Sequence, residues 1–288
     1  MHMTDSEKPV FWRDNRMPYI ELRKVQAGRK VCYAPHSHRQ WSLGAITRGQ
    51  STFLYRDEQY RVGEGDLVIV NPEWVHACNP IDDQPWGYLM LYVDTDWLAR
   101  LRHEAGLLGR PVWEDIPTAT LTHQQIYDGY CMMAQCLLDP DRALLEKQTA
   151  VVEYLTGFMQ SLAGHTAAPQ SKAPDNLQAV ADYLKAHAAT ADVSLDSLCE
   201  CTGFSAGYLI RSFKRHFGLT PHAYLINCRI QYAQQALKTG APIAEAALDA
   251  GFADQPHFQR TFKRLLAATP QQYRRGSVDQ QIDAAGRK

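Results

Sequence analysis

An internal repeat constrains this chain more than any other feature of its sequence. Gly203 to Tyr224 reads Gly-Phe-Ser-Ala-Gly-Tyr-Leu-Ile-Arg-Ser-Phe-Lys-Arg-His-Phe-Gly-Leu-Thr-Pro-His-Ala-Tyr. Gly251 to Tyr273 reads Gly-Phe-Ala-Asp-Gln-Pro-His-Phe-Gln-Arg-Thr-Phe-Lys-Arg-Leu-Leu-Ala-Ala-Thr-Pro-Gln-Gln-Tyr. The opening glycines are 48 positions apart, whereas the Phe-Lys-Arg triplets (213–215 and 262–264), the Thr-Pro pairs and the closing tyrosines are each 49 apart. A matched pattern with one inserted residue means two copies of one supersecondary unit. Each copy predicts a glycine turn, a short amphipathic helix and a new helix opened by Thr-Pro, where threonine caps and proline at the first helical position has no amide to leave unpaired.

The segments before each copy complete the unit. Ser194 predicts a cap for a helix over 195–201, and Thr202-Gly203-Phe204 is a turn. Ser205 predicts the cap of the next helix, 206–217, which Gly218 ends. A long helix follows from Thr220-Pro221 to about Lys238. The second copy repeats this with 243–250, the turn at Gly251 and a helix over 254–266. Helix, glycine-containing turn, helix is a helix-turn-helix, whose second helix reads a DNA groove. The repeated Phe204, Leu209 and Phe213, with Phe252, Phe258 and Phe262, are expected in the two small cores.

Charge supports this division. The chain's net charge is −1. Residues 1–171 hold 16 Lys and Arg against 21 Asp and Glu, while residues 172–288 hold 14 against 10. Within 205–275, 10 basic residues face only Glu245, Asp249 and Asp254. A basic module beside an acidic one points to nucleic-acid binding by the C-terminal part alone.

This half resembles the AraC family of transcription regulators, through Gly251-Phe252, Phe262-Lys263 and Thr269-Pro270 with Tyr273-Arg274. The resemblance implies an all-α DNA-binding domain over 175–276 with a polar tail at 277–288. By that resemblance the base-facing residues are Gly207, Ile210 and Arg211 in the first helix and Gln255, Pro256, Gln259 and Arg260 in the second. Arg211 and Arg260 are suited to guanine, Gln255 and Gln259 to adenine, and Ile210 to a thymine methyl. Ser205, Lys214, Arg215, Lys263 and Arg264 are candidate phosphate contacts. Ala268 departs from the pattern, since a glycine usually precedes the Thr-Pro.

The N-terminal half has a different period. Trp41–Thr47, Thr52–Tyr55, Leu67–Val70 and Gly87–Val93 are short runs rich in β-branched and aromatic residues, separated by Gly and Asn-Pro turns. They predict an antiparallel sandwich or small barrel. Here the sequence resembles a cupin, specifically the effector domain of AraC-type regulators, through His36-x-His38, Gly49, Gly65-Asp66-Leu67 and Pro72…His76…Asn79. The implied fold class is mixed: a cupin-like β-barrel with appended antiparallel helices over residues 1–163, then a double helix-turn-helix.

A barrel of this size holds one small ligand. His36, His38, Trp41, Trp74, His76 and Tyr88 are the expected effector-binding residues: imidazoles to hydrogen-bond, rings to stack. His36, His38 and His76 are also the one candidate metal set. In metal-binding cupins a glutamate follows four residues after the second histidine, and that position is Ser42. A hydroxyl is a poor substitute for a carboxylate ligand, so no metal or other cofactor is expected. The alternative, a metal-dependent cupin enzyme fused to a DNA-binding module, has no evident general base among the motif residues.

Thr122–Leu138 and Asp141–Ala163 predict two long antiparallel helices that cover the barrel or present a dimer surface. Residues 164–174, rich in small residues and proline, predict a linker. Seven cysteines without a Cys-x-x-Cys pair predict reduced thiols, and the polar N-terminus predicts a cytosolic protein. The expected function is a non-enzymatic, small-molecule-controlled regulator, more an activator than a repressor. Its expected partners are promoter DNA, RNA polymerase and a second copy of the chain.

Overall fold

The computed structural model describes residues 9–28, 33–82, 84–163, 174–189 and 193–275. The expected linker falls almost wholly, and the tail wholly, outside the described residues.

Among the described residues, nine strands form the N-terminal half: β1 (Val10–Trp12), β2 (Ile20–Val25), β3 (Trp41–Arg48), β4 (Gln50–Tyr55), β5 (Glu58–Gly63), β6 (Asp66–Val70), β7 (His76–Pro80), β8 (Gly87–Val93) and β9 (Thr120–Thr122). They make two antiparallel sheets, one of order β1-β2-β8-β3-β6-β9 and one of order β5-β4-β7. The expected closed barrel is therefore replaced, among the described strands, by two facing sheets. Near the histidines, His36, which lies outside the strands, pairs with His76 of β7 by an isolated antiparallel bridge.

The larger sheet is buried on both faces. On β3 and β8, Trp41, Leu43, Ala45, Leu89, Leu91 and Val93 join the core under the helices. Ile46, Tyr88 and Met90 join the core between the sheets. Successive strand side chains point to opposite faces, so this split follows from the period of two. Helices α1 (Thr95–Glu104), α2 (Gln124–Leu138) and α3 (Leu144–Leu162) cover the outer face. Tyr130 and Tyr127 of α2 fix the register by donating to the Leu43 and Ile46 carbonyls at 2.8 and 2.9 Å. No helix among the described residues is long and apolar enough to cross a membrane.

The C-terminal half is helical: α4 (Asp175–Ala186), α5 (Leu195–Thr202), α6 (Ala206–Phe217), α7 (Pro221–Lys238), α8 (Ile243–Asp249), α9 (Gln255–Leu266) and α10 (Pro270–Arg275). Ser194, Thr220 and Asp254 cap α5, α7 and α9 through their side chains. Ser205 holds the cap position of α6, but its side chain makes no capping hydrogen bond. Gly203 and Gly218 end α5 and α6 in the left-handed region that glycine adopts without penalty. The second copy departs here: α9 ends on left-handed Ala267 (φ 48°).

Each helix-turn-helix unit takes a buried residue of the N-terminal half into its core. Phe11 enters the second, edge-on to Tyr273 with ring centroids 5.3 Å apart. Val75 enters the first, beside Leu209 and Phe213. Between them, Ser37 lies against the middle of α7, where Gln231 Nε2 donates to its carbonyl at 2.9 Å. Burial of these apolar groups across the junction removes them from water and docks the two halves. A polar cluster reinforces the dock. Glu21 accepts from Arg13 at 3.0 Å and from Lys238 at 2.6 Å, and Arg13 Nη1 donates to the Tyr273 carbonyl at 2.8 Å.

Candidate nucleic-acid interface and effector chamber

The second helix of each unit, α6 and α9, presents the expected residues to solvent with one exception. On α9, Phe258, Thr261, Phe262 and Leu265 are buried, and Gln255, Pro256, Gln259, Arg260, Lys263 and Arg264 are exposed. On α6, Leu209 and Phe213 are buried, and Gly207, Arg211, Lys214 and Arg215 are exposed, as is Ser205 just before the helix. Ile210 is the exception. It sits at the flank of the core face, half-buried, and lines an apolar groove with Leu195, Leu198 and Leu225. Tyr208 and His257 are exposed on these helices instead. Their neighbours in sequence do not distinguish them from core aromatics, so the sequence alone does not single them out.

The two helices differ in their surroundings. Arg211, Lys214 and Arg215 line one wall of a cleft of about 730 Å³ whose other wall is Arg56, Glu73 and Trp74. In the docked arrangement the basic face of α6 therefore looks across at the N-terminal half.

Within the N-terminal half the three histidines converge. His76 lies between the other two, with ring centroids 4.5 Å from His36 and 4.7 Å from His38. Each Nδ1 lies at hydrogen-bond distance from a backbone carbonyl: His36 to Ala34 at 2.9 Å, His38 to Gln40 at 2.8 Å, His76 to Trp74 at 3.0 Å. A carbonyl only accepts, so each Nδ1 carries the proton and each neutral ring presents Nε2 as an acceptor. Burial holds all three well below the usual histidine range, with His38 at about 3 and His76 at about 4. Ser42 Oγ is 3.4 Å from His38 Nε2. The carboxylate of a metal-binding cupin is thus replaced by a hydroxyl that hydrogen-bonds a histidine. Among the described residues no group of three or more His, Cys, Asp or Glu is arranged to hold a metal ion.

Tyr88 joins this cluster, stacked on Trp86 and hydrogen-bonded to Tyr33. Trp41 and Trp74 do not. Trp41 points through the opposite face of β3 onto Phe158 of α3. Trp74 donates to Asp115 at 3.1 Å, stacks on Tyr55 and lies under the Arg56 guanidinium in the α6 cleft. The space between the sheets is nearly filled by side chains, leaving a cavity of about 30 Å³ lined by Tyr33, His36, His76, Trp86, Tyr88 and Tyr92. A much larger cleft, about 600 Å³, opens between the two halves and is lined by Glu21, His38, Tyr92, Gln231 and Tyr273.

The AraC-like ligand binding domain family matches residues 20–145, and a helix-turn-helix domain family matches residues 198–276. The chain is 29% identical over 230 residues to YbfI, an HTH-type transcriptional regulator of Bacillus subtilis, covering 77% of this chain and 80% of that protein. It is 26% identical over 257 residues to the HTH-type transcriptional activator RhaR of Klebsiella pneumoniae, covering 85% and 88%. Its fold is similar to that of a single-residue variant of apo ToxT from Vibrio cholerae, with a TM-score of 0.59 at 13% identity over 90% of this chain and 98% of that one. ToxT with a bound unsaturated fatty acid matches with a TM-score of 0.56 at 12% identity, over 94% and 95%.

Proposed function

The chain belongs to the AraC family of transcription regulators, and from that premise we propose that it is an effector-controlled activator whose two halves divide sensing from DNA reading. It is a DNA-binding transcription regulator with an N-terminal ligand-binding domain. We assign residues 1–163 to effector binding and dimerisation, 164–174 to the connection, and 175–276 to DNA.

One observation carries the reading of DNA: both repeats expose an arginine, Arg211 and Arg260, on the face opposite a phenylalanine core. An arginine there is placed to pair bidentately with guanine, while Lys214, Arg215, Lys263 and Arg264 flank it for phosphates. Gln255 and Gln259 add adenine-reading groups to α9 only. The second unit therefore supplies more hydrogen-bonded base readout, and the first relies on Arg211, phosphates and DNA shape.

The effector acts in the N-terminal half, at the histidine cluster and its opening toward the other half. Similarity to RhaR, an activator, supports activation and contact with RNA polymerase. Exposed apolar side chains on α2 and α3, Met132 at 65%, Leu145 at 72% and Val152 at 38%, support a dimer surface there. Similarity to regulators also favours a non-enzymatic, cytoplasmic protein. The donor set at the histidines fits hydrogen bonding to a ligand better than metal catalysis, because Ser42 stands where the carboxylate would be.

Selection of bound duplexes from a random library by the full chain tests this. The account expects an enriched site with two half-sites whose occupancy changes with the effector. Binding that never discriminates between sequences would contradict it.

A further inference from the structure

A buried cation outside the histidine motif bears on the chemistry of the effector. Arg23 on β2 is 2% exposed. Its Nε and Nη2 are buried with no hydrogen-bond partner. These two nitrogens are adjacent on one edge of the guanidinium, the edge that forms a two-pronged fork. The rest of the group is well supported: its carbon lies 5.3 Å from the Phe11 ring, 5.4 Å from Tyr33 and 5.8 Å from Tyr88. The support positions the fork and leaves its two donors unused.

Among the described residues, its surroundings offer no spare negative charge. Burial raises the hydroxyls of Tyr33, Tyr88 and Tyr92, so these phenols stay neutral. Glu21, two residues earlier on the same face of β2, is already shared between Arg13 and Lys238. Glu21 is thus committed to two other cations. An unpaired buried charge is costly, and buried charges are retained where something pairs with them.

We propose that Arg23 is the anchor of the effector site and that the effector is a small organic carboxylate, held by the Nε–Nη2 fork. This rests on the reading of the N-terminal half as a ligand-binding domain and names the chemistry of its ligand. A single fork matches the two oxygens of one carboxylate in geometry and charge. A chamber of about 30 Å³ adjoins Arg23, room for a head group and not for a whole metabolite. The chamber shares Glu21, His38, Gln40, Tyr92, Gln231 and Tyr273 with the 600 Å³ cleft, which takes the body of the ligand. Its walls come from both halves, Tyr33 and His36 on one side and Gln231 and Tyr273 on the other. A carboxylate bound here therefore favours the docked arrangement, and that preference is the coupling by which a ligand reaches the DNA-binding helices.

The test uses the full chain at constant ionic strength. Acetate, butyrate and benzoate are each titrated against their uncharged amides, with thermal unfolding as the readout, in the wild type and in Arg23→Met. The proposal expects at least one carboxylate to raise the Tm saturably in the wild type, its amide to have no effect, and Arg23→Met to abolish the shift. It also expects ligand-free Arg23→Met to be at least as stable as the wild type, because an unpaired buried charge has been exchanged for an apolar side chain of similar length. A shift that survives in Arg23→Met, or amides as effective as acids, would overturn the anion assignment while leaving a ligand-binding domain in place. No shift with any of the three acids would mean that the fork holds a bridging water only, and would overturn the proposal. Loss of sequence-specific DNA binding by the wild type would instead strike the regulator reading itself.

Discussion

Ser37 and Asn227, 190 residues apart, hold each other by two hydrogen bonds: the Ser37 amide donates to Asn227 Oδ1 at 3.2 Å, and Asn227 Nδ2 donates to Ser37 Oγ at 3.1 Å. Both residues are buried. The pair sits midway along α7, between the points where Phe11 and Val75 enter the two helix-turn-helix cores. Asn227→Ala would strand the Ser37 amide in a buried junction. We expect a loss of about 1–3 kcal/mol, the cost of an unsatisfied buried donor. Chemical denaturation should show it, with the two halves unfolding in separate transitions. An unchanged single transition would mean that the apolar contacts alone dock the halves.

Glu21 makes the same junction sensitive to acid. Burial alone would raise its carboxyl, but Lys238 and Arg13 outweigh that and hold it at about 2, below its ordinary value of 4.5. A depressed carboxyl contributes stability that is complete above the unfolded value and is lost as pH falls through the folded one. The window is therefore pH 4.5 down to about 2, with about 3 kcal/mol at stake. Glu21→Gln should remove most of that pH dependence. It should also destabilise the protein at neutral pH, since two partly buried cations lose their shared partner. Urea denaturation of both proteins at pH 7 and pH 3 checks both effects.

The histidines act at milder pH. His38 and His76, at about 3 and about 4 in the folded chain, remain neutral when the unfolded chain takes up protons near 6.5. The unfolded state then binds more protons, so stability is full above pH 6.5 and falls as pH drops below it. At pH 5 each of the two imidazoles should have cost about 2 kcal/mol relative to pH 7. Replacing His76 with Gln should flatten the slope between pH 7 and pH 5 without abolishing folding. A slope identical to wild type would contradict burial of the cluster.

How far the sequence discloses the molecule depends on which residues carry the signal. The double helix-turn-helix is legible because its turns, caps and phenylalanines recur at fixed spacing. The strand over Glu58–Gly63 escapes notice because only Val62 in it is buried. Trp41 falls away from the histidines because β3 is apolar on both faces, and alternation alone does not say which face looks between the sheets. Arg23 does not stand out for the converse reason: with Glu21 it reads as the wet side of β2, yet in the fold it is 2% exposed beneath the rings of Phe11, Tyr33 and Tyr88. Nothing in the local pattern announces the docking of the two halves, since Phe11, Ser37 and Val75 lie far from their partners in sequence.

Ala267 tests the comparison of the two repeats. It occupies the left-handed position that Gly218 holds in the first copy. Left-handed backbone costs a non-glycine residue about 1 kcal/mol or more, so Ala267→Gly should stabilise the second unit by up to about 1 kcal/mol. Gly218→Ala should do the opposite with a larger effect, because a β-carbon there would meet Val75 Cβ at 2.9 Å. Thermal unfolding of the two variants compares them directly.

If α9 reads bases through Arg260 and grips phosphates through Lys263, replacing the two side chains has different consequences. The direct measurement is the affinity of the wild type, Arg260→Ala and Lys263→Ala for a selected site, each of its single base-pair variants and random duplex. The account predicts that Arg260→Ala loses about 1–3 kcal/mol on the selected site and becomes indifferent to one base pair. Lys263→Ala should weaken all duplexes alike and reduce the salt slope by about 1. Equal loss on selected and random DNA for Arg260→Ala, with every base-pair preference intact, would contradict it.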